Sequence, residues 1–422
     1  MKILLLSTYD WQGGAAKAAY RLHQALRRTG IDSQMLVQSK LSDEETVITS
    51  ATKFQKGLAK LKPSLDILPL GLYSGRDRVT YSLQWFPDTV ASQVAQINPD
   101  IINLHWINAG YLRLETLAKF KKPIVWTLHD MWPFTGGCHY SSDCDRYTKS
   151  CGACPQLRST REWDISRWVW QRKAKAWNNC NLTIVTPSNW LAKCAQESSL
   201  FQNFRIEVIP NGLDIQRYKP IDKQLAKNLL GLPIDKQIIL FGAVNATSDR
   251  RKGFHLLLPA LQTLDRSQWQ EKIELVSFGA SQPVEPPNFG FKANYLGKLS
   301  DEISLSLVYA AADVFVAPSL QDNLPNTIME ALACGTPCVA FEIGGMSDMI
   351  EHKQNGYLAR PYEVGDLAKG ITWVLEDREG WRKLCDRARE KVEQEFSQEL
   401  QTKRYLSLFS RLCSPKNSQI QL

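Results

Sequence analysis

The sequence predicts an α/β protein built from two doubly wound domains, each a parallel sheet covered by helices on both faces. Three observations predict it. At 422 residues the chain is too long for one hydrophobic core and suits two domains of ordinary size. Short apolar runs alternate with helical-period stretches from end to end, the pattern of successive βαβ units. The alternation also restarts, with KILLLSTY opening the first half and KQIILFGAVN the second. Between the halves, RIEVIPNGLDIQRYKP is punctuated by Pro and Gly without a hydrophobic period. These signals place one domain at 1–212, a second at 213–395, and a C-terminal helix and tail at 396–422.

The composition excludes some classes. Hydrophobic residues make up 44% and charged residues 22%, as in water-soluble globular proteins. The apolar run Met1–Leu6 is ended by Ser7, Thr8 and Asp10 too early for a signal peptide. No run has the length of a membrane span, so a cytoplasmic protein is expected.

In the first half, KILLLSTY reads as a strand. Gly13-Gly14 leads into AAKAAYRLHQALRRTG, where Ala15, Ala19, Leu22 and Leu26 repeat at helical spacing and Gly30 stops the helix. SQMLVQ is the next strand. G-x-G-x-x-G is absent here, so the glycines either permit tight packing or admit a phosphate close to the backbone. From Lys53 to Phe86 the pattern is irregular and reads as a helical or loop insertion. PDIINLHW and KKPIVWTLHD are further strands, each ending in a polar cluster: His105-Trp106 and His129-Asp130. Ligand-binding residues collect at such strand ends in open α/β sheets.

A cysteine-rich insertion follows at about 131–158. Cys138, Cys144, Cys151 and Cys154 have the spacing C-x5-C-x6-C-x2-C. In a reducing compartment this favours a structural zinc, with disulfides and unligated thiols as the alternatives. Net charge is +8, and seven basic residues between Lys149 and Lys175 are interleaved with Trp163, Trp168, Trp170 and, just beyond, Trp177. Such a segment either rests on an anionic membrane surface or is a solvated helix with its aromatic side buried. No nucleic-acid-binding module is visible.

In the second half, the strand KQIILFGAVN is followed by ATSDRRKG and the helix FHLLLPALQTL. Arg250, Arg251 and Lys252 at the mouth of that helix form either a phosphate clamp or a charged surface loop. The stretch Ala310–Glu351 reads as strand, loop with Asp322 and Asn323, helix after Pro325, strand CVAFEI, then a Gly344-Gly345 turn into a helix near Ser347. Paired helix N-termini suit an anion, and Glu330, about a turn and a half into the first helix, suits hydroxyl groups. Together these suggest a nucleotide sugar. The alternative is an ordinary βαβ unit with solvated helix ends.

The ordered set NGLD, RRKG, YLG, VFVAPSLQDNLPNTIMEALACGTPCVAF, GG and NGY resembles the retaining glycosyltransferases of family 4, which have the GT-B fold. HDMWPFTGGCHY…CGACPQL is similar to bacterial exopolysaccharide transferases of the colanic-acid type. The resemblance implies two Rossmann-like domains facing a central cleft. It also implies metal-independent, hexosyltransferase-type transfer from a nucleoside diphosphate sugar to a glycan or lipid-linked saccharide, with no cofactor needed for catalysis. His129 then approaches the donor sugar, and Asp322 stands where the family has Glu near the reacting carbon. Lys252 with Arg250 or Arg251 grips the diphosphate, the expected upstream Arg being replaced near Thr247. Glu330 holds the ribose. Gly13, Gly14, Asn323, Leu324, Gly344 and Gly345 complete the donor site. A peripheral position at the inner membrane face fits such an acceptor. A nucleotide-sugar 2-epimerase of the same fold and a non-catalytic sugar-nucleotide or glycan binder are the competing readings.

Overall fold

The computed structural model describes residues 1–49, 53–242, 249–264, 266–279, 285, 287–299 and 301–414. The chain divides into two compact units, one formed by 1–210 together with the C-terminal segment from Gln401, the other by 211–400.

Unit 1 holds a seven-stranded parallel sheet. Its strands are β1 (Lys2–Tyr9), β2 (Asp32–Ser39), β3 (Val47–Ile48), β4 (Ile101–Leu104), β5 (Ile124–Thr127), β6 (Leu182–Thr186) and β7 (Arg205–Val208). The spatial order is β3-β2-β1-β4-β5-β6-β7, with Leu4 opposite Gln34 on one side and Ile102 on the other. Ile3–Leu6 and Ile101–Leu104 are buried on both faces, which is why these strands read as continuous apolar runs. The helix Gly14–Arg28 buries Ala19, Leu22 and Leu26 as its spacing predicts, and Arg27 and Arg28 in the last turn oppose its dipole. Each fully buried Leu contributes about 1.5–3 kcal/mol.

The C-terminal helix Gln398–Cys413 is more than a tail. It returns to unit 1, where Tyr405, Leu408 and Phe409 are fully buried against Ile3, Leu5 and Val125. The irregular 53–86 segment forms the helix Lys53–Ile67, then a single-turn helix, then an extended run held by side chains. Asp66 accepts the Leu83 and Gln84 amides at 3.1 and 2.6 Å, and Tyr81 donates its hydroxyl to the Gly136 carbonyl at 3.0 Å.

Unit 2 holds a six-stranded parallel sheet in the order β10-β9-β8-β11-β12-β13. These strands are β8 (Gln237–Gly242), β9 (Ile273–Phe278), β10 (Ala293–Tyr295), β11 (Val314–Ala317), β12 (Cys338–Phe341) and β13 (Gly356–Ala359). The helix Asn326–Ala333 lies between β11 and β12 and ends at Gly335, whose φ of 75° favours glycine. Arg389 donates to the Ala333 carbonyl at 2.8 Å, a cation at the negative end of that helix.

Each sheet has one switch point where the strand order reverses: between β1 and β4 in unit 1, and between β8 and β11 in unit 2. Open α/β sheets bind ligands outside the carboxyl ends of the strands at such points.

Candidate active site

At the switch point of unit 2, the segment after β8 meets the loop after β11. Asp249 caps the turn Arg250–Lys252 by accepting the Arg251 amide at 3.0 Å, and Gly253 follows at φ 75°. A Cβ on Gly253 would stand 1.7 Å from the Pro318 carbonyl oxygen, so glycine is what lets the two loops touch. The Leu320 amide then donates to the Arg251 carbonyl at 2.7 Å. This approach brings two cations onto one carboxylate. Asp322 Oδ2 lies 2.6 Å from Lys252 Nζ and 3.1 Å from Arg251 Nη1, while its Oδ1 accepts the Asn323 amide at 3.1 Å. Burial pushes the Asp322 carboxyl up, but Lys252 and Arg251 outweigh it and hold it well below the usual carboxylate range. The carboxylate is therefore ionised and occupied.

Of the two arginines, Arg251 is the one that meets Asp322, and Arg250 is exposed. Gly344, at φ 56°, packs so closely that a Cβ would stand 2.1 Å from the Asp322 carbonyl oxygen, and the Gly345 amide donates to that oxygen at 3.1 Å. The Gly344-Gly345 turn thus fixes the Asp322 backbone. The segment after it, expected to begin a helix near Ser347, is a single turn from Met346 to Met349. Leu324 packs into the core of unit 2. Glu330 is buried in its helix and accepts the Tyr309 hydroxyl at 3.2 Å. The expected replacement near Thr247 lies outside the described residues.

At the switch point of unit 1, the chain leaves β1 through Gly13, whose φ of 91° and ψ of 166° suit glycine, and Gly14 begins the helix. His105 and His129 stand just beyond β4 and β5. His105 Nδ1 lies 2.9 Å from His129 Nε2, and the rings stack at 5.2 Å. His105 Nε2 lies 3.1 Å from Asn103 Oδ1 on β4. Burial holds His129 down to about 4, against an opposing pull from Asp130, and holds His105 well below the ordinary imidazole value. Both rings are neutral at pH 7.

The neighbouring Asp130 has a structural set of partners. It accepts from Trp106 Nε1 at 3.0 Å, from His139 Nδ1 at 2.7 Å and from the Trp132 amide at 2.9 Å, while His139 Nε2 meets Ser82 Oγ at 3.0 Å. This network ties the 53–86 insertion and the cysteine-rich insertion to the loop carrying His129. Lys173 is fully buried, donates to the Trp132 and Thr135 carbonyls and lies 3.8 Å from the centre of the Trp132 ring.

The four cysteines line one cavity of about 20 Å³ together with Tyr81, Thr135 and Ser141, and none is in a disulfide. Among the described residues, no three His, Cys, Asp or Glu side chains form a group that could hold a metal ion. The Gly136 amide donates to Cys151 Sγ at 3.1 Å, and burial pushes the Cys138 thiol well up and the Cys151 thiol up to about 12.

Of the basic-tryptophan segment, Trp177 is buried and Arg172 is committed to Glu115 at 2.8 and 2.9 Å, whereas Trp163 is 75% and Trp168 43% exposed. Sequence reasoning missed Asn103, Tyr309, His139 and Lys173. His139, beside Cys138 in the insertion, and Lys173, in the basic-tryptophan segment, stood in segments already marked as unusual.

Both units match known sequence families. Residues 12–217 match the model described as Glycosyltransferase Family 4, and residues 235–377 match the model described as Glycosyl transferases group 1. The chain belongs to these glycosyltransferases. The putative colanic acid biosynthesis glycosyl transferase WcaC of Escherichia coli K12 is 24% identical over 87% of this chain and 90% of its own length. A D-inositol 3-phosphate glycosyltransferase of Catenulispora acidiphila is 30% identical over 41% of this chain; the match spans only 43% of that relative. Among solved structures, sucrose-phosphate synthase from Thermosynechococcus elongatus aligns with a TM-score of 0.68 at 19% identity, covering 98% of this chain and 99% of the other. HepE of Anabaena, described in complex with UDP and glucose, aligns with a TM-score of 0.64 at 19% identity over 97% of this chain and 99% of its own. These neighbours identify the fold as GT-B. Among the described residues, no helix is long and apolar enough to cross a membrane.

Proposed function

We propose that this glycosyltransferase moves a hexose-type sugar, with retention and without a catalytic metal, from a nucleoside diphosphate sugar to a glycan or lipid-linked saccharide in exopolysaccharide assembly. The observation that carries the proposal is the pairing of Lys252 and Arg251 at the unit 2 switch point, beside Asp322 and the Gly344-Gly345 turn. Asp322 holds both cations and Asp249 holds Arg251 as well, at 3.3 Å, so an incoming diphosphate would share or replace these carboxylate contacts. As the glycosidic bond breaks, negative charge grows on the departing diphosphate, and preorganised cations stabilise it more than they stabilise the bound donor. Glu330, buried within its helix, is the ribose ligand in this reading.

Asp322 supports the retaining, same-face form of the reaction. Its Oδ2 is shared by two cations and its Oδ1 takes a backbone amide, so it is a weak nucleophile and serves to position the cations. The departing phosphate then takes the acceptor's proton, and His129 binds the donor sugar through its ring. The UDP-glucose complex of HepE supports a uridine donor, and the WcaC relationship supports an exopolysaccharide acceptor.

Product analysis tests the activity. Sugar transfer that requires an added saccharide acceptor is expected. Sugar released equally without acceptor would favour the 2-epimerase, and binding without turnover a non-catalytic protein. For the acceptor side we propose a peripheral contact with anionic lipid through Trp163, Trp168 and Leu72, all exposed, with Arg158 and Arg161 close to the two tryptophans in sequence. Binding to vesicles rich in phosphatidylglycerol should weaken when Trp163 and Leu72 are replaced by Ser. Unchanged binding would refute the contact.

A further inference from the structure

We propose that Gln84, in the 53–86 insertion, is a positioning residue that locks the loop 106–112 in a strained conformation at the unit 1 switch point, preorganising it for sugar transfer. The inference rests on the reading of the chain as a sugar-transferring enzyme whose unit 1 switch point takes part in the reaction. It gives the insertion a task.

Gln84 is fully buried, and its side chain makes three hydrogen bonds to one loop. The atom facing the Ile107 and Leu112 carbonyls at 2.5 and 2.6 Å is Nε2, because carbonyls only accept. Its Oε1 accepts the Gly110 amide at 2.8 Å. The backbone of Gln84 is held in turn: its amide donates to Asp66 Oδ1 at 2.6 Å, and its carbonyl accepts from Arg172 Nη2 at 3.0 Å. That backbone has a φ of 49°, in the left-handed region that residues other than glycine seldom occupy.

The loop needs such a clamp. Ala109 has a φ of 56° without glycine's freedom, and Gly110 follows at 70°, where a Cβ would stand 2.8 Å from the Lys62 carbonyl oxygen of the insertion helix. Asn108 is 2% exposed, and its Nδ2 has no hydrogen-bond partner among the described residues, a cost the loop would shed by opening to water. Strain of this kind persists only where the surroundings over-determine it, and it collects at functional sites. Here Gln84 holds one side and the strand ends hold the other. Thr8 Oγ1 lies 3.0 and 2.9 Å from the Trp106 and Asn108 carbonyl oxygens, and Gln38 Nε2 donates to the Ala109 carbonyl at 3.1 Å. The loop begins at Trp106, just beyond β4, and the Trp106 indole donates to Asp130 at 3.0 Å. A slack loop would therefore loosen the ring that braces the segment carrying His129.

Hydrogen exchange reads the clamp in the wild-type protein. Amides of the 106–112 peptide should exchange at least about 100-fold more slowly than in an unstructured chain. Unprotected amides there would overturn the proposal without any variant having to fold. Gln84→Met keeps the length of the side chain and removes all three bonds, so exchange in 106–112 should rise about tenfold or more while peptides of β1 and β5 keep their rates. Trp85→Phe is the control, because the Trp85 indole bonds only the Leu65 and Asp66 carbonyls within the insertion, at 3.1 and 3.2 Å. It should leave exchange in 106–112 unchanged. The functional arm follows nucleoside diphosphate release from a panel of UDP-, GDP- and ADP-sugars, with and without added saccharide acceptor. Gln84→Met should lower kcat about tenfold with donor KM within about threefold, and Trp85→Phe should keep both within about threefold. Wild-type kcat in Gln84→Met, or equal losses in the two variants, would overturn the positioning role. No release by the wild type from any member of the panel would instead refute the reading of the chain as a sugar-transferring enzyme on which the inference rests.

Discussion

Replacing Asp322 with Asn removes one charge at nearly constant volume and separates two roles of this carboxylate. Its Oδ2 stands 2.6 Å from Lys252 Nζ and 3.1 Å from Arg251 Nη1. At an effective dielectric of about 20, each pair attracts by roughly 5–6 kcal/mol, much of it offset by desolvation. Removing one partner of a buried pair costs about 3–5 kcal/mol. The cations are 17% and 29% exposed, and the water that reaches them places the expected loss near 3 kcal/mol. Ligand binding should move the other way. With the Asp322 charge removed, Lys252 loses its carboxylate while Arg251 keeps Asp249 at 3.3 Å, so the affinity for the nucleoside diphosphate product should hold or tighten by up to about tenfold. Turnover should collapse because the cations are no longer aimed. Lys252→Ala, by contrast, should weaken the same ligand by about 10- to 100-fold, the worth of one charge-assisted hydrogen bond. Titration calorimetry of both variants, with chemical unfolding as the stability control, makes the comparison. Equal loss of nucleoside diphosphate affinity in Asp322→Asn and Lys252→Ala would refute the division of roles.

Two further predictions concern the scaffold. Gly253→Ala combines a φ of 75° with a Cβ placed 1.7 Å from the Pro318 carbonyl oxygen, and unit 2 should lose about 3 kcal/mol or more in chemical unfolding; a change below about 0.5 kcal/mol would contradict the close approach of the two loops. Acid should destabilise unit 1 before its carboxylates titrate. His23 and His129 are held down to about 4, chiefly by burial, so the unfolded chain binds more protons than the folded one below the ordinary value of 6.5. Their stabilisation is complete above pH 6.5 and is lost as the pH falls toward 4, at up to about 1.4 kcal/mol per pH unit for each ring. Unfolding curves between pH 7.5 and 4.5 should show this slope, and His23→Gln should reduce it by one proton's worth. A flat profile would contradict the buried neutral rings.

Much of the fold was legible because two periods carry it. The strands KILLLSTY, LTIVT and CVAF are buried on both faces and read as unbroken apolar runs, and the helix after Gly14 keeps its apolar spacing. Glycines were informative where backbone approaches backbone, as Gly253 does at Pro318 and Gly344 at Asp322. What stayed hidden depends on contacts distant in sequence. Nothing in the local pattern of Tyr309 or Glu330 announces their hydrogen bond, and no period places Tyr405 278 residues away beside Thr127. The choice of Arg251 over Arg250 is set by which side of a three-residue turn faces Asp322, which composition cannot encode. Cysteine spacing brought the four thiols to one cavity but does not contain the side-chain directions that decide what the cavity can hold.

The central claim is that unit 2 binds a nucleoside diphosphate sugar through Lys252, Arg251 and Glu330. Thermal unfolding of the wild type and of Glu330→Ala against a panel of UDP-, GDP- and ADP-sugars tests it most directly, because a ligand at one hundred times its Kd stabilises by about 2.7 kcal/mol. At least one sugar nucleotide should raise the wild-type unfolding temperature, with the shift lost or sharply reduced in Glu330→Ala. No shift with any member of the panel, or an undiminished shift in Glu330→Ala, would contradict the account.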